Sequence, residues 1–187
     1  IRSKSLEDLK EELIAIAQNG YLEIVLVGIN LSSYGKENGY KTRLIDAIEL
    51  ACSIDGVKRV RLGSLEPELL SEDDLIRMAK LDKFCPQFHL SLQSGSEETL
   101  KRMNRHYTPE EYYSIVKNIR SKFKNPAITT DIMVGFAGET EQEFTESLEF
   151  AHKIGFAKAH IFSYSIREGT KAALMPNQPD KQTKEQR

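Results

Sequence analysis

Five short stretches hold the residues best suited to chemistry. They are Gly-Ile-Asn-Leu-Ser-Ser-Tyr-Gly (28–35), Gly-Ser-Leu-Glu-Pro (63–67), Ser-Leu-Gln-Ser-Gly-Ser (91–96), Gly-Phe-Ala-Gly-Glu-Thr (135–140) and Ser-Tyr-Ser-Ile-Arg-Glu-Gly-Thr (163–170). Glycine lets backbone approach a ligand closely. Hydroxyl, amide and carboxylate groups hydrogen-bond sugars and amino-acid groups. The set suits a polar ligand rich in hydroxyls, and Met133 adds an apolar side chain for a flat ring, with Gly135 and Gly138 beside it. A plainer reading is that Gly135 and Gly138 serve turns and that Ser96 and Thr140 cap helices. The chain has neither a G-x-x-x-x-G-K-[ST] phosphate loop nor a strand-linked G-x-G-x-x-G, and His89, His106, His152 and His160 do not cluster by spacing. Of the four, His89 alone is placed on a polar strand face, where it reads as a core or hydrogen-bonding residue. Lys101, Arg102 and Arg105 beside His106 read as a solvated helix end.

The elements that position these stretches follow from periodicity. Strand-like runs at 21–28, 57–63, 87–93, 127–135 and 158–165 alternate with amphipathic segments. Box-like caps open helices at Ser5, Ser71 and Thr108-Pro109. Alternation at this spacing is the βαβ pattern of a parallel sheet, and it places all five stretches at strand carboxyl ends, where such folds hold ligands. The run 21–28 (YLEIVLVG) is apolar on both faces, as buried parallel strands are. Later strands have one apolar and one polar face: Phe88, Leu90 and Leu92 against His89, Ser91 and Gln93; Ile128, Thr130, Ile132 and Val134 against Thr129, Asp131 and Met133; Val60 and Leu62 against Arg59 and Arg61. That division favours helices outside a polar lumen over an open sheet covered on both sides. Arg59 or Arg61 is expected to pair with Asp131 across it.

Composition sets further bounds. With 187 residues, 40% hydrophobic and 29% charged, the chain has the make-up of an ordinary globular domain. A formal charge of −2 argues against autonomous nucleic-acid binding, which needs basic excess. Cys52 and Cys85 fit no metal-ligand spacing, and so few cysteines suit a reducing cytoplasm. Cys52 continues the stripe Leu44, Ile45, Ile48 and is expected in the core. No apolar run is long enough to span a membrane. The chain reads as an internal segment, with 1–173 one domain and 174–187 a linker toward a further domain.

The ordered set GINLSSYG, RVRLGSLEP, SLQSGSEETLKRMNRHYT, DIMVGFAGET and FSYSIREGTKAA resembles the methylthiotransferase branch of the radical S-adenosylmethionine enzymes over essentially the whole chain. Within the branch it looks most like the enzymes acting on threonylcarbamoyladenosine at tRNA position 37. The resemblance implies an α/β fold, a partial TIM-like (β/α)6 barrel lacking its first strand and cluster loop, with S-adenosylmethionine across the carboxyl rim. By that resemblance Gly28 and Asn30 lie near its methionine end, and Ser64 and Glu66 flank the site. Ser91, Gln93 and Ser94 face the ribose and methionyl part. Met133 and Gly135 line the adenine, which Phe162 or Tyr164 approaches, while Arg167 serves the substrate or a second cofactor. Ala137 departs from the proline common in the family, which loosens the turn slightly.

The family holds a [4Fe–4S] cluster through a C-x-x-x-C-x-x-C loop that this sequence lacks, and 1–13 resembles the stretch following that loop. The resemblance thus implies a parent enzyme with two [4Fe–4S] clusters, ligated outside this chain, and tRNA as partner through other domains. The segment alone is then expected to be inactive, with no metal ligand or catalytic residue of its own. Its strand 21–28 is left with an open edge suited to self-association. Two alternatives stand beside this: a methylthiotransferase acting on isopentenyl-adenosine tRNA or a ribosomal-protein aspartate, and a non-catalytic barrel that only binds.

Overall fold

The computed structural model describes residues 2–67 and 71–187. They form two compact units, the first comprising 1–89 with 117–127 and the second 90–116 with 128–187.

The first unit opens with α1 (Leu6–Gln18), whose start is fixed by Ser5 accepting from Asp8 N at 3.1 Å. Leu9 and Leu13 are the buried part of its stripe. Strand β1 (Glu23–Leu26) pairs in parallel with β2 (Arg59–Leu62), in the register Glu23↔Arg59 to Leu26↔Leu62. Between them α2 (Leu44–Ser53) buries Ile45, Ala47, Ile48, Ala51 and Cys52. Burial pushes the Cys52 thiol up to about 11, so it is a core residue, as its place in the stripe predicts. The two-residue β3 (Ser64–Leu65) and α3 (Glu72–Met78) follow, Ser71 capping the latter by accepting from Asp74 N. Phe84, Phe88 and Phe123 pack with ring centroids 5.2–6.0 Å apart.

Two expectations are corrected in this unit. Arg59 and Arg61 both pair with Glu23, at 2.6 and 3.3 Å, where a partnership with Asp131 was expected. The parallel register explains it: Glu23 stands directly opposite Arg59 on one face, two residues from Arg61's own partner. The arginine side chains are 66% and 44% exposed rather than enclosed. Nor is β1 buried on both faces. Ile24 and Leu26 are buried, but Val27 is 73% exposed and Val25 is exposed too. Among the described residues β1 bonds only to β2, and a groove of about 470 Å³ runs along it, lined by Leu9, Leu13 and Ile16 of α1 and by Ile24 and Leu26.

In the first unit β4 (Gln87–Leu90) lies beside β3, and Ala127, opening β5 (Ala127–Val134), donates to Pro86 O. In the second unit Gln93 N donates to Asp131 O and accepts at its own carbonyl from Met133 N, both at 2.8 Å. There β5 also pairs in parallel with β6 (Lys158–Ser163), in the register Thr129↔Lys158 to Val134↔Ser163. The protein is therefore α/β with parallel strands. The period of two holds along β5, where Ile128, Thr130, Ile132 and Val134 are buried and their alternates half-buried. Thr130 tolerates the apolar face because its hydroxyl donates to Leu90 O at 2.7 Å and accepts from Leu92 N at 2.9 Å.

Helices α4 (Glu97–Arg102), α5 (Pro109–Lys122) and α6 (Glu141–Ile154) complete this region. Thr140 and Glu143 form a reciprocal capping box on α6, and Gly155 ends it at φ +64°. Residues 174–187, expected as a linker, belong to the second unit. They include the short α7 (Lys181–Gln186), capped by Asp180, and close on Arg187, whose side chain is only 7% exposed.

Candidate functional site

Each unit presents its own share of the residues singled out by sequence. In the first, Gly28 and Asn30 are exposed, and Asn30 Oδ1 accepts from Ser33 N at 3.1 Å, capping a single 3-10 turn over Leu31–Ser33. Ser64 is exposed on β3. Glu66 is half-buried, and its amide donates to Ser32 Oγ at 2.9 Å. Local capping thus already engages the Asn30 carbonyl oxygen.

In the second unit the strand ends are tightly organised. Gln93 adopts a left-handed backbone, φ +66°, that side-chain-bearing residues rarely take. Its two bonds to the Asp131–Met133 stretch hold it there. Backbone held in such a region concentrates at functional sites. The hydroxyl of Tyr107, from the stretch following Gln93, lies 2.8 Å from the carbonyls of both Ser91 and Leu92 and shares its one proton between them. Ser94, by contrast, is fully buried, and its hydroxyl accepts from Ser96 N at 3.2 Å. As placed, it braces the turn rather than facing an opening.

The parallel register sets Met133 beside Phe162, and Asp131 beside His160, on one face of β5–β6. Met133 is half-buried and Phe162 is 52% exposed, together an apolar shelf suited to a planar ring. Met133 also packs against the cluster of Phe136, Ala137 and Tyr164, in which Phe136 and Tyr164 meet edge-on at 5.0 Å. The Tyr164 hydroxyl is buried with no hydrogen-bond partner. Such an atom is costly to leave unsatisfied. Arg167 lies exposed in a turn closed by Thr170, whose hydroxyl donates to Arg167 O at 2.7 Å.

The turn 135–140 owes its glycines to more than ligand access. Gly135 and Gly138 have φ of +70° and +75°. A Cβ on Gly135 would come within 2.4 Å of Lys184 Cγ, because the lysine chain occupies that space. Gly95 is likewise a packing glycine, its absent Cβ lying 2.7 Å from Phe150 Cβ. The acid in the turn has a defined task. Glu139, its side chain 1% exposed, accepts from Gly135 N and pairs with Arg187 at 2.8 Å. Burial raises its carboxyl above the ordinary range, opposed by the Gly135 amide and Arg187.

Arg102 is no solvated helix end. It grips Glu143 in a bidentate pair at 2.9 and 2.8 Å, and its Nε donates to Ala137 O at 3.2 Å. Those bonds hold the Glu143 carboxyl below its ordinary range. Ala137 is fully buried, and its carbonyl is anchored despite the missing proline. The sequence hinted at Glu139 only through an acid set between glycine and a helix cap. Nothing local pointed to Arg187, 48 residues away.

Two cofactors can be tested against these residues. Among the described residues no group of three or more His, Cys, Asp or Glu side chains could hold a metal ion. A [4Fe–4S] cluster therefore does not fit on them. A nucleoside fits better, given the Met133–Phe162 shelf, the strained Gln93 and the orphaned Tyr164 hydroxyl.

Comparison with known proteins bears on the family. The tRNA-2-methylthio-N(6)-dimethylallyladenosine synthase of Alkaliphilus oremlandii is 44% identical over 186 residues, covering 100% of this chain and 40% of that protein. The enzyme of the same name from Clostridium botulinum (strain Loch Maree) is 42% identical, with coverage of 100% and 41%. The chain thus spans about two fifths of the length of these relatives. Their name carries a dimethylallyl substrate, where the sequence motifs led to the expectation of threonylcarbamoyladenosine. Among solved structures, coproporphyrinogen III oxidase (HemN) of Escherichia coli, a radical SAM enzyme, superposes with a TM-score of 0.69 at 15% identity, covering 96% of this chain and 42% of that one. The radical S-adenosylmethionine methyltransferase TsrM of Kitasatospora setae gives 0.66 at 15% identity, covering 86% and 31%. Both likenesses are of fold. A profile described as the Radical SAM superfamily matches residues 1–151, most of the chain and four of the five strand-end stretches, and the chain belongs to that superfamily.

Proposed function

We propose that this chain is part of a radical SAM methylthiotransferase that modifies an N6-substituted adenosine in tRNA, with dimethylallyladenosine as the substrate. What carries the reading is the match of the whole chain to relatives that bear that activity in their name. The threonylcarbamoyl form and a ribosomal-protein aspartate are the competing substrates.

In this reading Met133 and Phe162 receive the adenine of S-adenosylmethionine, with Gly135 at its edge and Tyr164 offering its hydroxyl. Ser91 and Gln93 serve the ribose and methionyl part, with Ser94 behind them. Gly28, Asn30, Ser64, Glu66 and Arg167 remain proposed ligand contacts by resemblance. When bound, S-adenosylmethionine with its reducing [4Fe–4S] cluster supplies the radical chemistry and the methyl group. The residues of this chain bind and orient. The cluster ligands and the tRNA-binding surface are assigned to other parts of the protein, consistent with the net charge of −2. A tRNA substrate places the enzyme in the cytoplasm, and no helix among the described residues is long and apolar enough to cross a membrane.

The test is anaerobic reconstitution of the full-length gene product, reaction with tRNA carrying each N6 group, and mass analysis of the nucleosides. A methylthio group on dimethylallyladenosine is the expected product. Methylthiolation of threonylcarbamoyladenosine alone would overturn the substrate assignment.

The 187-residue chain by itself is further expected to pair with a second copy through the open edge of β1, where Val25 and Val27 are exposed. Sedimentation equilibrium should show a dimer at high concentration and Val27→Lys should return it to monomer. A monomer at every concentration would refute the pairing.

A further inference from the structure

The peptide joining Val134 to Gly135 is held at both ends. Its N–H donates to the Glu139 carboxylate at 2.5 Å, and its carbonyl accepts from Tyr164 N at 2.9 Å. Glu139 is in turn held by Arg187, whose Nη1 donates to both its carboxylate and its carbonyl, at 2.8 and 3.3 Å. Its Nη2 reaches Glu141 at 3.0 Å. Three more contacts tie the chain's last segment to the same place. Gly138 N donates to Asn177 O at 3.0 Å, Lys184 Nζ donates to Tyr164 O at 3.0 Å, and the lysine chain fills the space beside Gly135. Such a buried ion pair is a poor source of stability, because desolvation offsets most of its attraction. Its value is in fixing geometry, and what it fixes is the end of the strand carrying Met133.

We propose that Glu139 and Arg187 are positioning residues for the nucleoside ligand, acting through the 134–135 peptide to set the height and tilt of Met133 and Gly135. The assignment rests on the reading that Met133 and Phe162 receive the adenine of S-adenosylmethionine. A rim fixed before binding spares the ligand the cost of ordering it. The segment 175–187 is then part of the binding apparatus.

The experiment measures S-adenosylmethionine affinity by equilibrium dialysis on the reconstituted full-length protein, alongside thermal unfolding. Glu139→Gln keeps the shape of the side chain and removes its charge. Arg187→Met keeps length and removes every donor, and Arg187→Lys restores one. The first two are expected to weaken affinity about tenfold, the scale on which supporting groups around a bound species act. The double variant should be no worse than either single one, the lysine variant should recover part of the loss, and the apparent KM for tRNA should stay put. Met133→Ala and Phe162→Ala serve as the reference for the site itself. If these two weaken binding while Glu139→Gln and Arg187→Met stay within twofold of the parent, the positioning role is wrong and the site stands. If Met133→Ala and Phe162→Ala leave affinity unchanged, the site reading fails and the positioning role fails with it.

Discussion

Replacing Tyr112 by alanine is expected to destabilise the second unit by about 4 kcal/mol, the scale of emptying a buried aromatic site. Its ring is completely buried, with Tyr107, Phe150 and Phe156 centred 6.2–6.3 Å away. Its hydroxyl donates to Leu90 O at 2.9 Å. Tyr112→Phe separates the two contributions. Leu90 O keeps the Thr130 hydroxyl, so losing the phenol alone should cost only about 1 kcal/mol. The phenylalanine variant also carries a pH signature. Burial raises the Tyr112 phenol above the ordinary value of 10.0, so the native state keeps a proton that the unfolded chain releases. Stability from this group is complete below about pH 10 and is lost as pH rises further. Urea titrations at pH 7 and pH 10.5 should show a larger alkaline loss in the parent than in Tyr112→Phe. Equal losses would show that another group governs the alkaline limb.

Gly95→Ala is expected to cost about 3 kcal/mol, the upper end of ordinary overpacking. The added methyl would sit 2.7 Å from Phe150 Cβ and 2.8 Å from Ser147 Cα, and the second of these is helix backbone that cannot rotate away. Relief requires α6 to withdraw, which would stretch the 2.8 Å bond from Gly95 N to Ser147 Oγ and the 2.8 Å bond from Ser96 Oγ to Glu146. The urea midpoint should fall with an unchanged slope. A shift equivalent to under 0.5 kcal/mol, roughly that of an innocuous surface change, would mean that the helix yields freely and that the glycine is there for another reason.

What the sequence made legible was local. The caps at Ser5, Ser71 and Thr108 depend on residues three apart, and each makes the bond expected of it. The two-residue alternation of β2, β4 and β5 survives because one face of each packs and the other does not. Cys52 followed from its helical stripe. The failures were matters of register and distance. Glu23 takes Arg59 and Arg61 because parallel pairing aligns them, and nothing in 21–28 reveals that alignment. Arg102 was mistaken for a solvated residue because Glu143 lies 41 positions away. Of the candidate ligand residues, Met133 and Phe162 meet through strand register, whereas Ser94 is sealed inside a turn. Residue type told nothing of burial there, since serine suits a binding rim and a tight turn equally. Gly135 and Gly138 were open to a turn reading from the start, and their positive φ bears it out.

Those glycines bear on how the protein could evolve. Gly95 is hemmed in by helix backbone and Gly135 sits at φ +70°, so both positions resist substitution on structural grounds alone. A relative that bound no ligand would still be pressed to keep both. Persistence of this glycine pattern through a lineage therefore records survival of the architecture. Under the nucleoside reading proposed above, survival of binding is better tracked at Met133 and Phe162, half-buried and exposed, which folding alone holds less firmly.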